Sequence, residues 1–458
     1  LRAPAILRPW VVVALRRGMV MGYLAQRKSA HDLRQNERKM LEKTVHFEKS
    51  IRVYNEIGEY CTNFQEVGMK KTEIDYWITA MLESHPNVSD LNITVGKTLQ
   101  VESAGVLKSV EVKPPIKELT PFQSETFALN LIGNNKRLLS DLVANGSCDL
   151  SYAFSEDARF RVNIFTTKGY ITTVMRKLET KVPSIESMNF PPAFVKMAAE
   201  LNGIIIFTGA TGTGKTTSLA ALLNRINQER AVHVVTLEDP IEYMHTHHQA
   251  TFNQRELGHD FSSYAMGMRA ALRQAPKVIL VGEMRDKETM EIGLTAAETG
   301  HLVLSTLHTI DAGQAINRCL GMFEQEEQPQ IRHRLSDTIR WVVSQRLLPR
   351  VGGGRVAAME ILCTSLRVRD LILNGETEDK TFYEVIKAGS ALEMRTFDQH
   401  ILELFSHGLI TEESAVRYCS YRNEIFRGID QIKAARGEDT SSLKDLAMEE
   451  EEDESFGY

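Results

Sequence analysis

The stretch Ile204-Ile-Ile-Phe207-Thr208-Gly-Ala-Thr-Gly-Thr-Gly-Lys-Thr216 constrains this chain more than any other. Its apolar start predicts a buried strand. The strand runs straight into Gly209-x-x-x-x-Gly214-Lys215-Thr216, and the helix-forming Ser218-Leu-Ala-Ala-Leu-Leu-Asn-Arg-Ile226 follows. Strand, glycine-rich loop and helix in that order make a phosphate site. The glycines let the backbone wrap phosphate oxygens, and the unpaired N–H groups at the helix start point at the anion. The nucleotide-binding residues are then Gly209, Ala210, Thr211, Gly212, Thr213, Gly214, Lys215, Thr216 and Thr217. Lys215 reaches the β- and γ-phosphates, and the Thr216 hydroxyl is a Mg²⁺ ligand.

Two acidic clusters follow strand-like runs. One is Thr236-Leu-Glu238-Asp239-Pro240-Ile-Glu242, and the other is Val278-Ile-Leu-Val-Gly282-Glu283. In open parallel sheets, ligands sit beyond the carboxyl ends of the strands. Both clusters are therefore expected to face the phosphate loop. Transfer of a phosphoryl group to water needs a held Mg²⁺ and a group that orients the water. Glu283 suits the metal role through water, and Glu242 suits the base, with Glu238 next in line. His301 and His308 bracket the run Leu302-Val-Leu-Ser-Thr-Leu307, and either can report the γ-phosphate through a hydrogen bond. Taken singly, each histidine reads as a strand-edge surface residue. His245, His247 and His248 read as a polar exposed loop, because no carboxylate or cysteine partner completes a metal set.

The chain has 458 residues, enough for two or three domains, with 43% hydrophobic and 25% charged residues. Its five cysteines are scattered without a C-x-x-C pair, which argues against a disulfide framework or a cysteine zinc site. The net charge is −6, and Glu449-Glu-Glu-Glu-Asp-Glu454 alone supplies six negative charges. The remainder is formally neutral, which argues against a nucleic-acid binder. The first 28 residues carry Arg2, Arg8, Arg16, Arg17, Arg27 and Lys28 and no acid. Trp10-Val-Val-Val-Ala-Leu15 is too short to span a bilayer. The simplest reading is a natural start at Met19 or Met21, or disorder. A membrane-surface anchor is the other.

The organisation read along the chain is an extension over 1–70, partly helical, and an α+β domain over 71–180. A linker over 181–195 follows, then an ATPase domain over 196–435 and a disordered acidic tail over 436–458. Phe160–Phe165 and Ile171–Met175 are expected to pair across a Lys168-Gly169 turn. Strands at Ile204–Thr208, Val232–Leu237, Val278–Val281 and Leu302–Ser305, alternating with helices, predict a parallel sheet. After about residue 330 the chain is expected to be mainly helical, with one hairpin around Gly352-Gly-Gly354.

Taken together, the loop, Glu238-Asp-Pro-Ile-Glu242, Gly282-Glu-Met-Arg285-Asp286 and Thr299-Gly-His301 through His308 occur in one order. They resemble the Walker A, Asp box, Walker B and His box of the secretion-superfamily ATPases. The nearest branch is the PilT-like retraction motors of type IV pili. Leu294-Thr-Ala-Ala-Glu-Thr-Gly-His301 and Gly352-Gly-Gly-Arg-Val-Ala-Ala358 resemble that branch almost letter for letter.

The resemblance implies an α/β fold: a RecA-like P-loop domain, a smaller PAS-like N-terminal domain and a helical C-terminal region. It implies a homohexamer that hydrolyses ATP with Mg²⁺, peripherally attached at the cytoplasmic face of the inner membrane, with an inner-membrane platform protein as partner. By position, Glu242 and Glu283 match the catalytic acids, and His301 and His308 the His-box pair. Arg159, Arg161 and Arg176 match N-domain arginines that approach the phosphates. One family motif, Ala-Ile-Arg-Asn-Leu-Ile, stands here as Arg367-Val-Arg369-Asp370-Leu371-Ile372, so three of its six positions differ. Pilus-extension and type II secretion ATPases usually carry a tetracysteine zinc segment, which this chain lacks. Type IV secretion ATPases have a less similar His-box region. A regulatory ring that binds ATP without motor work is the reading from another class.

Overall fold

The computed structural model describes residues 70–155, 158–178 and 181–438. The expected helices before residue 70, the basic segment and the acidic tail lie outside the described residues.

The first part is a six-stranded antiparallel sheet in the order β3-β2-β1-β6-β5-β4. Helix α1 (Lys71–Glu83) buries Ile74, Trp77, Ile78 and Met81, a stripe at i, i+3, i+4, i+7. β1 (Val88–Ile93), β2 (Gln100–Ser103) and β3 (Val106–Ser109) follow. Then come α2 (Pro121–Ile132), α3 (Lys136–Asn145) and β4 (Ser147–Ala153). The expected hairpin is β5 (Arg159–Thr167) and β6 (Tyr170–Leu178), with Thr167 opposite Tyr170. Lys168 and Gly169 both have positive φ, 50° and 81°. That is the backbone a two-residue turn needs to follow the twist of its strands. Helices and sheet enclose one core, with Phe127, Phe160, Val162 and Ile164 fully buried.

Residues 181–192 form turns, and α4 (Ala193–Ala199) starts within the expected linker. The second part is a seven-stranded sheet in the order β13-β12-β7-β11-β10-β8-β9. In chain order its elements begin with β7 (Gly203–Thr208), α5 (Lys215–Glu229), β8 (His233–Glu238) and β9 (Thr251–Glu256). Next are α6 (Tyr264–Ala271), β10 (Val278–Val281), α7 (Lys287–Glu298) and β11 (Leu302–Leu307). Two helices, α8 (Ala312–Leu320) and α9 (Gln328–Thr338), lead to the hairpin β12 (Ile339–Pro349) and β13 (Arg355–Cys363). β12 is parallel to β7, whereas β13 is the one antiparallel strand. The sheet is buried on both faces. Ile204 and Ile206 point into one apolar cluster, and Ile205 and Phe207 into the other. That explains why these strands are continuous apolar runs and do not alternate.

Five helices close the described chain: α10 (Leu366–Asn374), α11 (Phe382–Lys387), α12 (Phe397–Ser406), α13 (Glu412–Tyr418) and α14 (Arg422–Arg436). The last three pack with Leu348 and Ala358 of the hairpin. The segment Arg367–Ile372 lies in α10, where Val368, Leu371 and Ile372 are core residues. Replacing isoleucine by valine at 368 keeps that contact apolar. Asp370 pairs with Lys380 and accepts from Asn374 Nδ2 at 2.6 Å.

Register sets the position of the site. Val281 pairs with Leu237 and Ser305, and Leu307 pairs with Thr208. The carboxyl ends of β7, β11, β10 and β8 therefore stand level, and whatever follows each strand shares one edge of the sheet.

Candidate active site

The chain after β7 turns through Gly209–Gly214 and enters α5 at Lys215, with Gly214 as the N-cap. Lys215 is 9% exposed, and its Nζ donates to the carbonyls of Gly209 at 2.8 Å and Ala210 at 3.0 Å. Burial pulls its pKa down, while Glu283 and Glu242 push it back up. Thr213 Oγ1 donates to the Ala210 carbonyl at 2.9 Å and tightens the turn. The loop borders a cleft of about 880 Å³ that also reaches Glu242, Glu283, His308 and Arg161. The two acidic clusters and the loop, far apart in sequence, thus meet where the strand ends predict.

Each carboxylate has a distinct environment. Burial raises the Glu242 pKa, and a hydrogen bond from Thr216 and the charges of Arg161 and Lys215 oppose the rise. Glu283 pairs with Arg285, and His308 Nε2 lies 3.4 Å from its Oε1. Glu238 is 8% exposed, accepts from Thr236 Oγ1 at 2.6 Å and from Gln254 Nε2 at 3.1 Å, and is pushed up to about 7 by burial. Glu238 is thus engaged by Thr236 and Gln254, whereas Glu242 accepts from Thr216 at the start of α5.

The arginines and histidines separate. Arg161 borders the cleft. Arg159 sits two residues earlier on the same face of β5 and does another task. Its Nη2 donates to Ser151 Oγ at 2.9 Å and lies 4.0 Å from Glu256 Oε2, and that same oxygen accepts from the Ile241 N–H at 3.2 Å. Arg159 therefore fastens the first sheet to the loop that carries Glu242. Arg176 is opposite Arg161 in the ladder, but its Nε donates to Asp90 at 2.8 Å, and it does not line the cleft. Within this chain Arg176 therefore stands apart from the cleft. His301 stands apart as well. It precedes β11 while His308 follows it, and a six-residue strand separates them by roughly 20 Å. His301 Nδ1 instead meets the Ala296 carbonyl at 2.9 Å, at the other end of the strand from the phosphate loop.

His247 and His248 lie on an exposed loop, as expected. His245 does not: it stacks on Phe252 at 4.7 Å, and burial pushes its pKa down to about 4. Among the described residues no group of three or more His, Cys, Asp or Glu could hold a metal. The oxygen donors Thr216 and Glu283 fit Mg²⁺, which binds through one or two protein oxygens, waters and substrate phosphates. Sequence reasoning passed over three further cleft residues, Tyr243, Arg285 and Arg355. Arg285 and Arg355 sit inside spans that carry the family resemblance, which was the available signal.

A phosphate loop, a Mg²⁺-competent hydroxyl and two strand-end carboxylates on one parallel sheet define a P-loop ATPase. Comparison with known proteins narrows the class. The family model described as "Type II/IV secretion system protein" matches residues 141–392, and the chain belongs to that family. The type IV pilus ATPase PilU of Pseudomonas aeruginosa is 35% identical over 371 residues, which is 81% of this chain and 95% of PilU. The "Type IV pilus retractation ATPase PilT" of the same organism is 37% identical over 329 residues, covering 71% of this chain and 93% of that protein. A crystal structure of the pilus retraction motor PilT with bound ADP superposes with a TM-score of 0.69 at 36% identity, covering 78% of this chain and 99% of that one.

The state of Glu238 has a pH signature. Its folded pKa of about 7 exceeds the unfolded value of 4.5, so the folded state holds the proton longer. Stability must then fall as pH rises through that window, by roughly 2–3 kcal/mol. Glu238→Gln is expected to lack this loss. Denaturant unfolding of both proteins from pH 4.5 to 7.5 checks it: the advantage of the variant should grow with pH. A constant difference would mean that Glu238 is ionised throughout.

Proposed function

We propose that this chain is one subunit of a homohexameric motor that hydrolyses ATP with Mg²⁺ to retract type IV pili. It acts peripherally at the cytoplasmic face of the inner membrane, against a platform protein embedded there. The observation that carries this reading is the likeness over nearly the full length of PilU and PilT, with every catalytic box of that resemblance present. In this reading the seven-stranded part is a RecA-like core and the six-stranded part a PAS-like domain. Among the described residues no helix is long and apolar enough to cross a membrane, which suits peripheral attachment.

The residues divide the chemistry. Lys215 and the loop N–H groups hold the β- and γ-phosphates. Thr216, and Glu283 through water, would hold Mg²⁺, which would neutralise phosphate charge. Glu242 accepts a proton from the attacking water, and its raised pKa brings it closer to working pH. Arg161 offsets charge that develops on the transferred group. His308, beside Glu283, reports the γ-phosphate. Arg161 and the loop belong to different parts of the chain, so ATP draws the two parts together and hydrolysis with release lets them part. The ligand does work only through this difference in affinity between closed and open states. Sequential closure around the ring turns the platform and lets pilin leave the fibre.

Two outcomes are expected. In purified protein, Glu242→Gln should bind ATP and turn over at least 100-fold more slowly, measured by phosphate release, while Lys215→Ala should lose binding. Normal turnover by Glu242→Gln would place the base elsewhere. In a piliated bacterium that carries the gene, its deletion should leave hyperpiliated cells that do not twitch. Bald cells would instead indicate an extension motor.

A further inference from the structure

Gln345 follows Ser344, which pairs with Thr208 at the end of β7. It is 3% exposed and is not among the residues that line the cleft. Both ends of its amide are engaged. Nε2 donates to the Thr213 carbonyl at 2.8 Å, and Oε1 accepts from Ser218 Oγ at 2.8 Å. The first partner lies just before Lys215 and the second in the first turn of α5. Only one amide orientation suits both, since the reverse sets a carbonyl against a carbonyl.

The loop is also pressed against this residue. A Cβ at Gly209 (φ 146°) would stand 2.6 Å from the Gln345 carbonyl oxygen, and one at Gly214 (φ 90°) would stand 2.9 Å from Nε2. Both glycines are therefore required by the approach of Gln345 as well as by φ. The strand beneath is itself fixed. Arg346 donates to the Tyr418 carbonyl at 2.6 Å and stacks over the Phe397 ring at 3.8 Å, so β12 cannot slide without breaking its hold on the C-terminal helices.

A peptide group is planar, with C=O and the next N–H pointing in opposite directions. Holding the Thr213 carbonyl toward Gln345 aims the Gly214 N–H away from it. We propose that Gln345 is a positioning residue for the nucleotide: it presets the Thr213–Gly214 peptide, and the start of α5, to receive a phosphate oxygen. The proposal rests on the reading of Gly209–Thr216 as the phosphate site. A loop already in its bound shape spends less binding energy on ordering.

The test is Gln345→Glu in the full chain, with ATP and Mg²⁺ affinity measured by calorimetry at pH 8 and pH 6 against wild type at the same pH. An ionised carboxylate repels the Thr213 carbonyl, whereas a protonated one can donate to it and still accept from Ser218. Burial first, and the charge of Asp311 after it, push Glu360 on the adjoining strand up to about 7, and burial at 345 should likewise make an introduced carboxyl hold its proton to higher pH. Affinity should fall tenfold or more at pH 8, and the deficit should shrink at least threefold at pH 6. A deficit equal at both pH values, or none, overturns the proposal. Lys215→Ala is run alongside: if it binds ATP like wild type, the phosphate-site reading fails instead. Ser218→Ala removes one arm and is the second variant if Gln345→Glu does not fold. It should lose about threefold in affinity, and unchanged affinity again overturns the proposal.

Discussion

Parallel pairing of β7, β11, β10 and β8 with their carboxyl ends level is the constraint on which the rest depends. It makes one edge of the sheet the meeting place of the phosphate loop, Glu242, Glu283 and His308. The pairing is fixed by burial on both faces. A one-residue slip would move Ile204 and Ile206 into the cluster that Ile205 and Phe207 fill. Core packing therefore holds the catalytic spacing.

The same burial sets the electrostatics. Lys215 loses solvation in the cleft and is kept charged by Glu242 and Glu283. Those acids differ because their partners differ. Glu283 has Arg285 and His308, Glu242 has Thr216 and Arg161, and Glu238 accepts from the neutral donors Thr236 and Gln254. Two carboxylates can thus serve the nucleotide while a third is held in the structure near neutrality.

The loop and the buried strands were legible because apolar runs ending in glycine or acid leave few alternatives. β9 was not, since Thr-Phe-Asn-Gln-Arg-Glu is an edge strand with one apolar residue and reads as loop. β12 is longer than expected because Ile339 follows α9 directly, with no breaking residue. α2 carried an unread signal, the Thr120–Gln123 capping box with Pro121 at its start. In the site, residue type alone could not separate His301 from His308, or Arg161 from Arg159 and Arg176; strand direction and neighbours do so. Gln345 left no trace, because a glutamine in a strand has no motif, and only its two partners give it meaning.

In the proposed mechanism the loop is half of a site whose other half is Arg161, in the preceding sheet. Arg159, fastened near Glu256, holds that sheet against the loop of Glu242, so the two halves are joined beside the chemistry. Single-turnover hydrolysis of prebound ATP by Arg161→Ala tests this most directly. The expected result is a fall in the hydrolysis rate of about 10³-fold, the order seen when a charge-neutralising arginine is removed, with ATP still bound. Hydrolysis at the wild-type rate would contradict it and leave the phosphate loop complete within its own domain.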